Sequence, residues 1–280
     1  FFKQKTAYEI APSRGLGDVY KRQAARWSDV VVLCLGEMMT WSGENASRSS
    51  IALPQIQEEL AAELKKAGKP IVLVLVNGRP LELNRLELIS DAILEIWQPG
   101  VNGALPMAGI LSGRINPSGK LAMTFPYSTG QIPIYYNRRK SGRGHQGFYK
   151  DITSDPLYPF GHGLSYTEFK YGTVTPSVTK VKRGDRLSVE VTVTNVGARD
   201  GAETVHWFIS DPYCSITRPV KELKHFEKQL IRAGETKTFR FDIDLERDFG
   251  FVNEDGKRFL EAGEYHILVQ GQTVKIELID

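Results

Sequence analysis

A polar loop with chemically reactive side chains follows an apolar run in the first part of the chain. The run DVVVLCLGE, residues 29–37, leads into GEMMTWSGENASRSSIALPQ, residues 36–55. This loop carries Glu44, with Trp41 and Arg48 nearby. Open α/β sheets place their reactive groups in loops at the carboxyl ends of buried strands. A carboxyl group in such a loop can act as a general acid or base, so Glu44 is the first candidate catalytic residue.

Each of these side chains also has an alternative role that the residues alone leave open. Glu44 is compatible with a solvated surface carboxylate, which is the usual state of a loop glutamate. Trp41 can stack on a ligand or cover apolar contacts of the loop, and Arg48 can pair with Glu44, bind a ligand hydroxyl or stay solvated. Glu37 is a competing carboxylate, and we expect it to hydrogen-bond loop backbone instead of reacting.

The pattern around this loop predicts an α/β domain over residues 24–126. Fully apolar runs alternate with helical patterns, as in a parallel sheet that is covered on both faces. We expect the helix after the loop to start at Pro54 and to be closed by Gly68. NGALPMAGILSG predicts a further helix, and GKLAMTFP, residues 119–126, a further short strand.

The pattern changes in the second half of the chain. Residues 127–172 are rich in Gly, Pro, Tyr and Arg and predict a long ordered loop and linker. Residues 173–280 alternate apolar and polar side chains between glycine-containing turns, which indicates an antiparallel β-sandwich of the immunoglobulin or fibronectin type. Trp207, Phe239, Phe241 and Tyr265 are expected in its core. The fold class is therefore α/β plus all-β.

Composition and motif spacing argue against several other classes of function. Lys plus Arg outnumber Asp plus Glu by only 36 to 33, a net charge of +3, which disfavours a nucleic-acid partner. Apolar runs are shorter than the roughly 18 residues of a membrane span. The His and Cys residues lack paired spacing, so we predict no metal and no cofactor. GRGHQG, residues 142–147, matches a dinucleotide-binding pattern but lacks the flanking strand and helix, which favours a loop bordering the active site.

Residues 1–23, FFKQKTAYEIAPSRGLGDVYKRQ, differ from the rest of the chain. They show neither the apolar core of a signal peptide nor a periodic pattern that would pack. They resemble translated sequencing-adapter sequence. We therefore expect this segment to be non-native and exclude it from the prediction of the fold.

Seven motifs between residue 29 and residue 236 carry a likeness to a known family. In chain order they are DVVVLCLGE with SGENASRSSIALPQIQEEL, GKPIVLVLVNGRPLEL, AILEIWQPG, NPSGKLAMTFP, GQIPIYYN, LYPFGHGLSYTEF and RPVKELKHFEKQLIRAGET. Together they resemble the C-terminal half of family 3 glycoside hydrolases, the bacterial β-glucosidase group. The resemblance implies a truncated α/β sandwich domain with a mostly parallel sheet, followed by a fibronectin type III-like domain.

The same resemblance implies a function for the loop. In this family an N-terminal barrel supplies an Asp nucleophile, and the α/β sandwich domain supplies the acid/base Glu, at the place where this chain has Glu44. The implied activity is that of a retaining, exo-acting β-glucosidase on β-linked oligosaccharides or glycosides. Trp41 and Arg48, beside Glu44 in the sequence, are then the candidate substrate-binding residues. Its implied location is periplasmic or extracellular.

The resemblance also leads us to expect that this chain is a fragment. It enters the family pattern only at the strand before the acid/base loop, so the barrel and its nucleophile would be absent and the fragment alone inactive. The alternative, from another class of function, is a non-catalytic carbohydrate-binding or structural module. Exposed aromatic residues on one face of the β-sandwich would favour that alternative.

Overall fold

A computed structural model describes residues 16–140 and 149–280 of the chain. Contacts divide the described residues into two compact units. The first unit contains residues 16–111, 123–134 and 149–159. The second unit contains residues 112–122, 135–140 and 160–280. Each unit is thus formed from three separate segments of the chain. The predicted domain boundaries at residues 126 and 172 divide the chain into continuous parts, and they stay predictions.

The first unit alternates helices and strands. Its elements are α1 Leu16–Trp27, β1 Val31–Gly36, α2 Gln55–Lys65, β2 Ile71–Val76, α3 Asn84–Ile89, β3 Ala92–Glu95 and α4 Ala104–Leu111, with short 3-10 helices at Met39–Trp41 and Thr129–Gln131. The sheet has the order β1-β2-β3, and both pairings are parallel. The predicted α/β class is therefore confirmed. Helix α1 begins inside residues 1–23, whose proposed adapter origin stays a prediction.

The end of β1 is fixed by its contact with α2. Gly36 donates its backbone N–H to Oε1 of Gln57 at 3.0 Å, and Gln57 donates from Nε2 to the Gly36 carbonyl, also at 3.0 Å. A side chain at Gly36 could not be accommodated, because an added Cβ would lie 1.9 Å from the carbonyl oxygen of Val76. The loop that follows β1 therefore starts from a position that helix and sheet define together.

The prediction of a strand at residues 119–126 is wrong. Phe125 forms one isolated pairing with Tyr158, in which the two N–H···O distances are 2.8 and 3.2 Å. Leu121, which belongs to the second unit, donates its backbone N–H to the carbonyl of His162. The backbone groups of this segment are thus divided between two units, so no continuous ladder of hydrogen bonds forms and the apolar pattern does not produce a strand.

The second unit is a β-sandwich. Its strands are β4 Phe169–Tyr171, β5 Thr175–Pro176, β6 Lys180–Lys182, β7 Leu187–Asn195, β8 Gly201–Ser210, β9 Glu222–Ile231, β10 Thr236–Ile243, β11 Phe251–Val252, β12 Arg258–Phe259, β13 Gly263–Val269 and β14 Gln272–Ile279. One sheet has the order β10-β7-β4, with β5 also paired to β7, and the other has the order β6-β14-β13-β8-β9. The pairings are antiparallel except that of β6 with β14. The predicted sandwich is confirmed.

The core of the sandwich is built from alternate residues of these strands. Trp207, Phe239, Phe241 and Tyr265 are all buried in one apolar cluster, as the sequence pattern predicted. Alternation produces this result because successive side chains of a strand point to opposite faces of the sheet. Phe226 on β9 lies on the outside and is 62% exposed.

The burial of Phe239 predicts a large effect on stability. Phe239→Ala leaves a cavity in the sandwich core and should reduce its free energy of unfolding by about 3–5 kcal/mol. Phe226→Ala is the matched control, because it removes the same side chain from an exposed strand position and should cost less than about 1 kcal/mol. Denaturant unfolding of both variants measures the difference, and equal losses would contradict the assigned core.

Candidate functional site

Three polar residues lie side by side where the parallel strands end. Gly36 is paired with Val76, so Glu37 and Asn77 follow neighbouring strands directly, and Glu95 is the last residue of β3. Glu37 donates its backbone N–H to the carbonyl of Val76 at 3.0 Å. This edge of the sheet therefore concentrates carboxyl and amide groups, as expected for the carboxyl ends of a parallel sheet.

Glu37 is a buried carboxylate with two arginine partners. Its side chain is only 2% exposed, and it pairs with Nε of Arg79 at 3.1 Å and with Nη1 of Arg48 at 3.2 Å. The backbone N–H of Gly78 also donates to this carboxylate, at 3.3 Å. A buried charge is tolerated when it is paired and hydrogen-bonded in this way. The structure thus agrees with the expected structural role of Glu37.

Arg79 connects this carboxylate to the loop that carries Glu44, which we call the Glu44 loop and define as residues 38–48. Its Nη2 donates to the carbonyl oxygens of Trp41 and Ala46, the latter at 3.0 Å. These two carbonyls precede and follow Glu44 in the chain. The guanidinium group therefore holds the backbone of the loop on both sides of the candidate acid/base.

Glu44 itself lies at the tip of a tight turn. Its neighbours Gly43 and Asn45 have φ values of 116° and 58°, in the region that favours Gly and, less strongly, Asn. Ala46 donates its N–H to the Gly43 carbonyl at 3.3 Å and closes the turn. The Glu44 side chain is exposed, and within the described residues its carboxylate has no hydrogen-bond or ion-pair partner.

Trp41 and Arg48 are brought together, but Arg48 does not pair with Glu44. The guanidinium carbon of Arg48 lies 4.0 Å from the centroid of the Trp41 ring, a cation–π contact. The same guanidinium pairs with Glu37 and donates to the carbonyl of Ala52 at 3.2 Å. Glu37 takes this cation because a buried carboxylate needs a partner, whereas water already solvates the exposed Glu44.

Glu95 is the carboxyl group at this edge that has no cation beside it. It accepts hydrogen bonds from the backbone N–H of Trp97 at 2.7 Å and from Nδ2 of Asn77 at 3.1 Å. Burial raises its pKa from the ordinary 4.5 to about 7, although these two hydrogen bonds act in the opposite direction. Asn77 also donates to the carbonyl of Arg79 at 2.8 Å, so it links Glu95 to the turn that carries Arg79.

The sequence prediction did not include Arg79, Asn77 or Glu95. Each of them follows or ends an apolar run, in LVNGRP and in AILEIW, which is the same signal that drew attention to Glu37. Applying that signal to the second and third strands would have found them.

Three other observations bear on the type of function. GRGHQG, whose place beside an active site was predicted, lies within residues 141–148, outside the described residues. In the part of the chain that the structure describes, no three His, Cys, Asp or Glu residues group together as a metal site would require. No helix of the described chain has the length and apolar character needed to cross a membrane.

Comparisons with known proteins agree with both units. The family described as Glycosyl hydrolase family 3 C-terminal domain matches residues 17–166, and the Fibronectin type III-like domain matches residues 203–273. A periplasmic β-glucosidase of Salmonella typhimurium is 42% identical over 91% of this chain and 34% of its own length. A β-xylosidase of Formosa agariphila is 39% identical over 88% of this chain and 34% of its own length.

A solved structure shows the same fold. The crystal structure of a β-glucosidase from Listeria innocua in complex with glucose superposes with a TM-score of 0.92 at 40% identity, covering 97% of this chain and 39% of that protein. This chain spans about a third of the length of the curated relatives that it matches.

The raised pKa of Glu95 predicts how stability depends on pH. Above pH 4.5 the unfolded chain releases the Glu95 proton while the folded chain keeps it up to about pH 7, so this residue lowers stability as pH rises between these values. The resulting loss in the free energy of unfolding between pH 4 and pH 8 is about 3 kcal/mol. Glu95→Gln cannot ionise at this position and should therefore remove that loss. Hydrogen exchange of β2 amides at both pH values measures the stability of the first unit.

Glu59→Gln is the control for this measurement, because Glu59 is an exposed carboxylate on α2 of the same unit. It should leave the pH dependence of the wild type unchanged. If Glu95→Gln and Glu59→Gln keep the same pH dependence as the wild type, Glu95 does not retain its proton in the folded chain.

Proposed function

The chain belongs to glycoside hydrolase family 3, and on that premise we propose that it forms the acid/base-bearing part of a retaining, exo-acting enzyme of the β-glucosidase type. Glu44 is the general acid/base in this proposal. The observation that carries it is the state of the carboxylates in the first unit. Glu37 is paired with two arginines and Glu95 is hydrogen-bonded to Asn77 and Trp97, whereas Glu44 is exposed and has no partner among the described residues.

An unpartnered carboxyl group on a defined loop fits the chemistry of proton transfer to a substrate. In the first step Glu44 donates its proton to the glycosidic oxygen as the bond to the departing group breaks. In the second step the Glu44 carboxylate removes a proton from the water that attacks the glycosyl-enzyme intermediate. A carboxylate that already neutralised an arginine could not perform both steps without giving up that partner.

Retention of configuration requires a second carboxyl group about 5–5.5 Å from the first. We propose that this nucleophile is an Asp on an N-terminal barrel of the whole enzyme. The length of the relatives supports this, since the stretch matched by this chain is 34% of the Salmonella protein and 39% of the Listeria protein. Glu37 and Glu95 are poor candidates for the nucleophile, because their partners hold them at the sheet edge.

The substrate class in this proposal is a terminal β-linked sugar on an oligosaccharide or glycoside. The matched relatives include β-glucosidases and a β-xylosidase, and one solved relative is in complex with glucose. Trp41 is half-buried, and Arg48 lies over its ring, so stacking on a sugar would use the ring face that Arg48 leaves open. Arg48 contributes through its remaining N–H groups, because Glu37 and Ala52 already occupy part of the guanidinium.

A periplasmic or extracellular location completes the proposal. The Salmonella relative is named as periplasmic. Fractionation of the native source, with activity against an aryl β-glucoside in each fraction, tests the location directly.

The role of Glu44 predicts a dependence on the leaving group. In the full-length enzyme, Glu44→Gln should lower kcat/KM for cellobiose by about 10²–10⁴-fold, because the departing sugar hydroxyl needs a proton. The same variant should cleave 2,4-dinitrophenyl β-glucoside with little loss of rate in the glycosylation step, since dinitrophenolate leaves without protonation. Added azide should restore turnover and form β-glucosyl azide, because attack by azide needs no general base.

Glu59→Gln is the matched control on the same unit and should keep wild-type kinetics with both substrates. Equal losses of kcat/KM for cellobiose and for the dinitrophenyl substrate in Glu44→Gln would contradict the acid/base role of Glu44. Cellobiose binding that survives Glu44→Gln and Trp41→Ala but is lost on Phe226→Ala would favour the carbohydrate-binding module, since Phe226 is an exposed aromatic residue of the sandwich.

The proposed division of labour predicts that this chain by itself is inactive. Residues 24–280 should hydrolyse neither cellobiose nor 2,4-dinitrophenyl β-glucoside above the background rate, because Glu44 would lack a nucleophile. The assay uses purified chain at high concentration, with the full-length enzyme as the positive control. Turnover that disappears on Glu44→Gln would show that the chain contains its own nucleophile.

A further inference from the structure

We propose that Arg79 is the positioning residue of the Glu44 loop, and that it sets the location of the Glu44 carboxyl by joining the loop backbone to the buried carboxylate of Glu37. This inference rests on the proposed acid/base function of Glu44. It concerns a residue in the turn after β2, at a distance of 35 positions in the sequence from the group that it positions.

The contacts of one guanidinium group carry this proposal. Nε of Arg79 lies 3.1 Å from the Glu37 carboxylate, while Nη2 donates to the carbonyl oxygens of Trp41 and Ala46. Trp41 precedes Glu44 by three residues, and Ala46 follows it by two. The loop is therefore held on both sides of Glu44 by a single planar group, which leaves only the short turn around Glu44 between the two contacts.

The chemistry of arginine suits this task. A guanidinium is planar, stays charged and presents five N–H donors in a fixed arrangement, whereas the ammonium of lysine is a compact point charge on a flexible stem. Only the former can contact a carboxylate and two backbone carbonyls in one plane. The side chain of Arg79 is 22% exposed, so these hydrogen bonds form where water competes weakly.

Arg79 is itself positioned by the turn that carries it. Asn77, which is 1% exposed, donates from Nδ2 to the carbonyl of Arg79 at 2.8 Å. Gly78 donates its N–H to Glu37, and an added Cβ on Gly78 would lie 1.8 Å from Oγ of Ser42 in the Glu44 loop. The loop therefore packs directly against the backbone of this turn, and the residue type at position 78 permits that approach.

Arg48 supplies a second connection to the same carboxylate but cannot replace the first. It is part of the Glu44 loop and pairs with Glu37 at 3.2 Å while lying over the ring of Trp41. Its backbone carbonyl contact is to Ala52, which lies beyond the turn that contains Glu44. Among the contacts of the described residues, those of Arg79 are the ones that bracket Glu44.

A positioning role has a kinetic consequence that differs from a loss of folding. A shift of about 1 Å in a reacting group can cost up to about 10²-fold in rate, although the group itself is unchanged. Displacing Glu44 should therefore weaken proton donation to poor leaving groups. It should not slow the glycosylation step of a substrate whose leaving group needs no proton, because nucleophilic attack does not involve Glu44, and kcat/KM reports that step.

The test compares Arg79→Gln, Arg79→Lys and Arg85→Gln in the full-length enzyme. Arg85 is the matched control, because it lies on α3 of the same unit and its side chain is 76% exposed. Arg79→Gln should lower kcat/KM for cellobiose about 10–100-fold, with little effect on kcat/KM for 2,4-dinitrophenyl β-glucoside. Arg79→Lys should resemble Arg79→Gln, and Arg85→Gln should behave as the wild type.

Hydrogen exchange on this 280-residue chain gives a second, independent readout. Arg79→Gln should accelerate exchange of amides in residues 38–48 while leaving β2 and the sandwich strands unchanged, and Arg85→Gln should change neither. Unchanged kinetics and unchanged exchange in Arg79→Gln would overturn the proposal. Equal losses of kcat/KM with both substrates, together with faster exchange throughout the first unit, would also overturn the proposal, since Arg79 would then only stabilise the fold.

The kinetic experiment separates this inference from the function on which it rests. If Glu44→Gln lowers kcat/KM equally for cellobiose and for the dinitrophenyl substrate, the acid/base function of Glu44 is wrong, and the positioning proposal is wrong with it. If Glu44→Gln discriminates and Arg79→Gln does not, the proposed function stands and the role of Arg79 is overturned.

Discussion

The carboxylate of Glu37 is the constraint on which the candidate site depends. Its side chain is 2% exposed at the end of β1, where an unpaired charge would cost several kcal/mol. It is neutralised by Arg48 from the loop after β1 and by Arg79 from the turn after β2. Because these two cations come from different segments, neutralising one charge also determines how the segments lie against each other, and the location of Glu44 follows from that.

Glu37, Glu44 and Glu95 of the first unit show how environment gives the same side chain different properties. Glu37 is buried and pairs with two arginines, whereas Glu95 is partly buried and has no cation beside it, so burial raises its pKa to about 7. Glu44 is exposed on a turn, with no partner among the described residues. Differences in environment of this kind give carboxyl groups of the same chemistry different roles.

The second unit also contains a buried, paired charge, and there its role is structural. Arg218 on the sandwich is 4% exposed, and it pairs with Asp211 at 3.1 Å and with Glu222 at 3.0 Å. Here the paired charges join a loop to the start of β9, and the stability of the unit comes from the apolar core around Trp207. The pattern of buried charge is thus similar in both units. In the first unit it has a further effect, because the loop that it organises carries an exposed carboxyl group.

The sequence by itself determined the class of both units and the family. Apolar runs at strand and helix spacing predicted β1, β2, β3, α2 and the core aromatics of the sandwich, because burial of a side chain leaves a local periodic trace. Glu44 was chosen as a candidate in a similar way, from its place after an apolar run, and its catalytic role stays a proposal. Only the tertiary structure decided which charges meet, since Arg79 lies 42 positions from Glu37 and no local pattern records that distance. For the same reason the sequence left the partner of Arg48 open, and the structure pairs it with Glu37. The apolar segment around Phe125 likewise forms one isolated pairing instead of a strand.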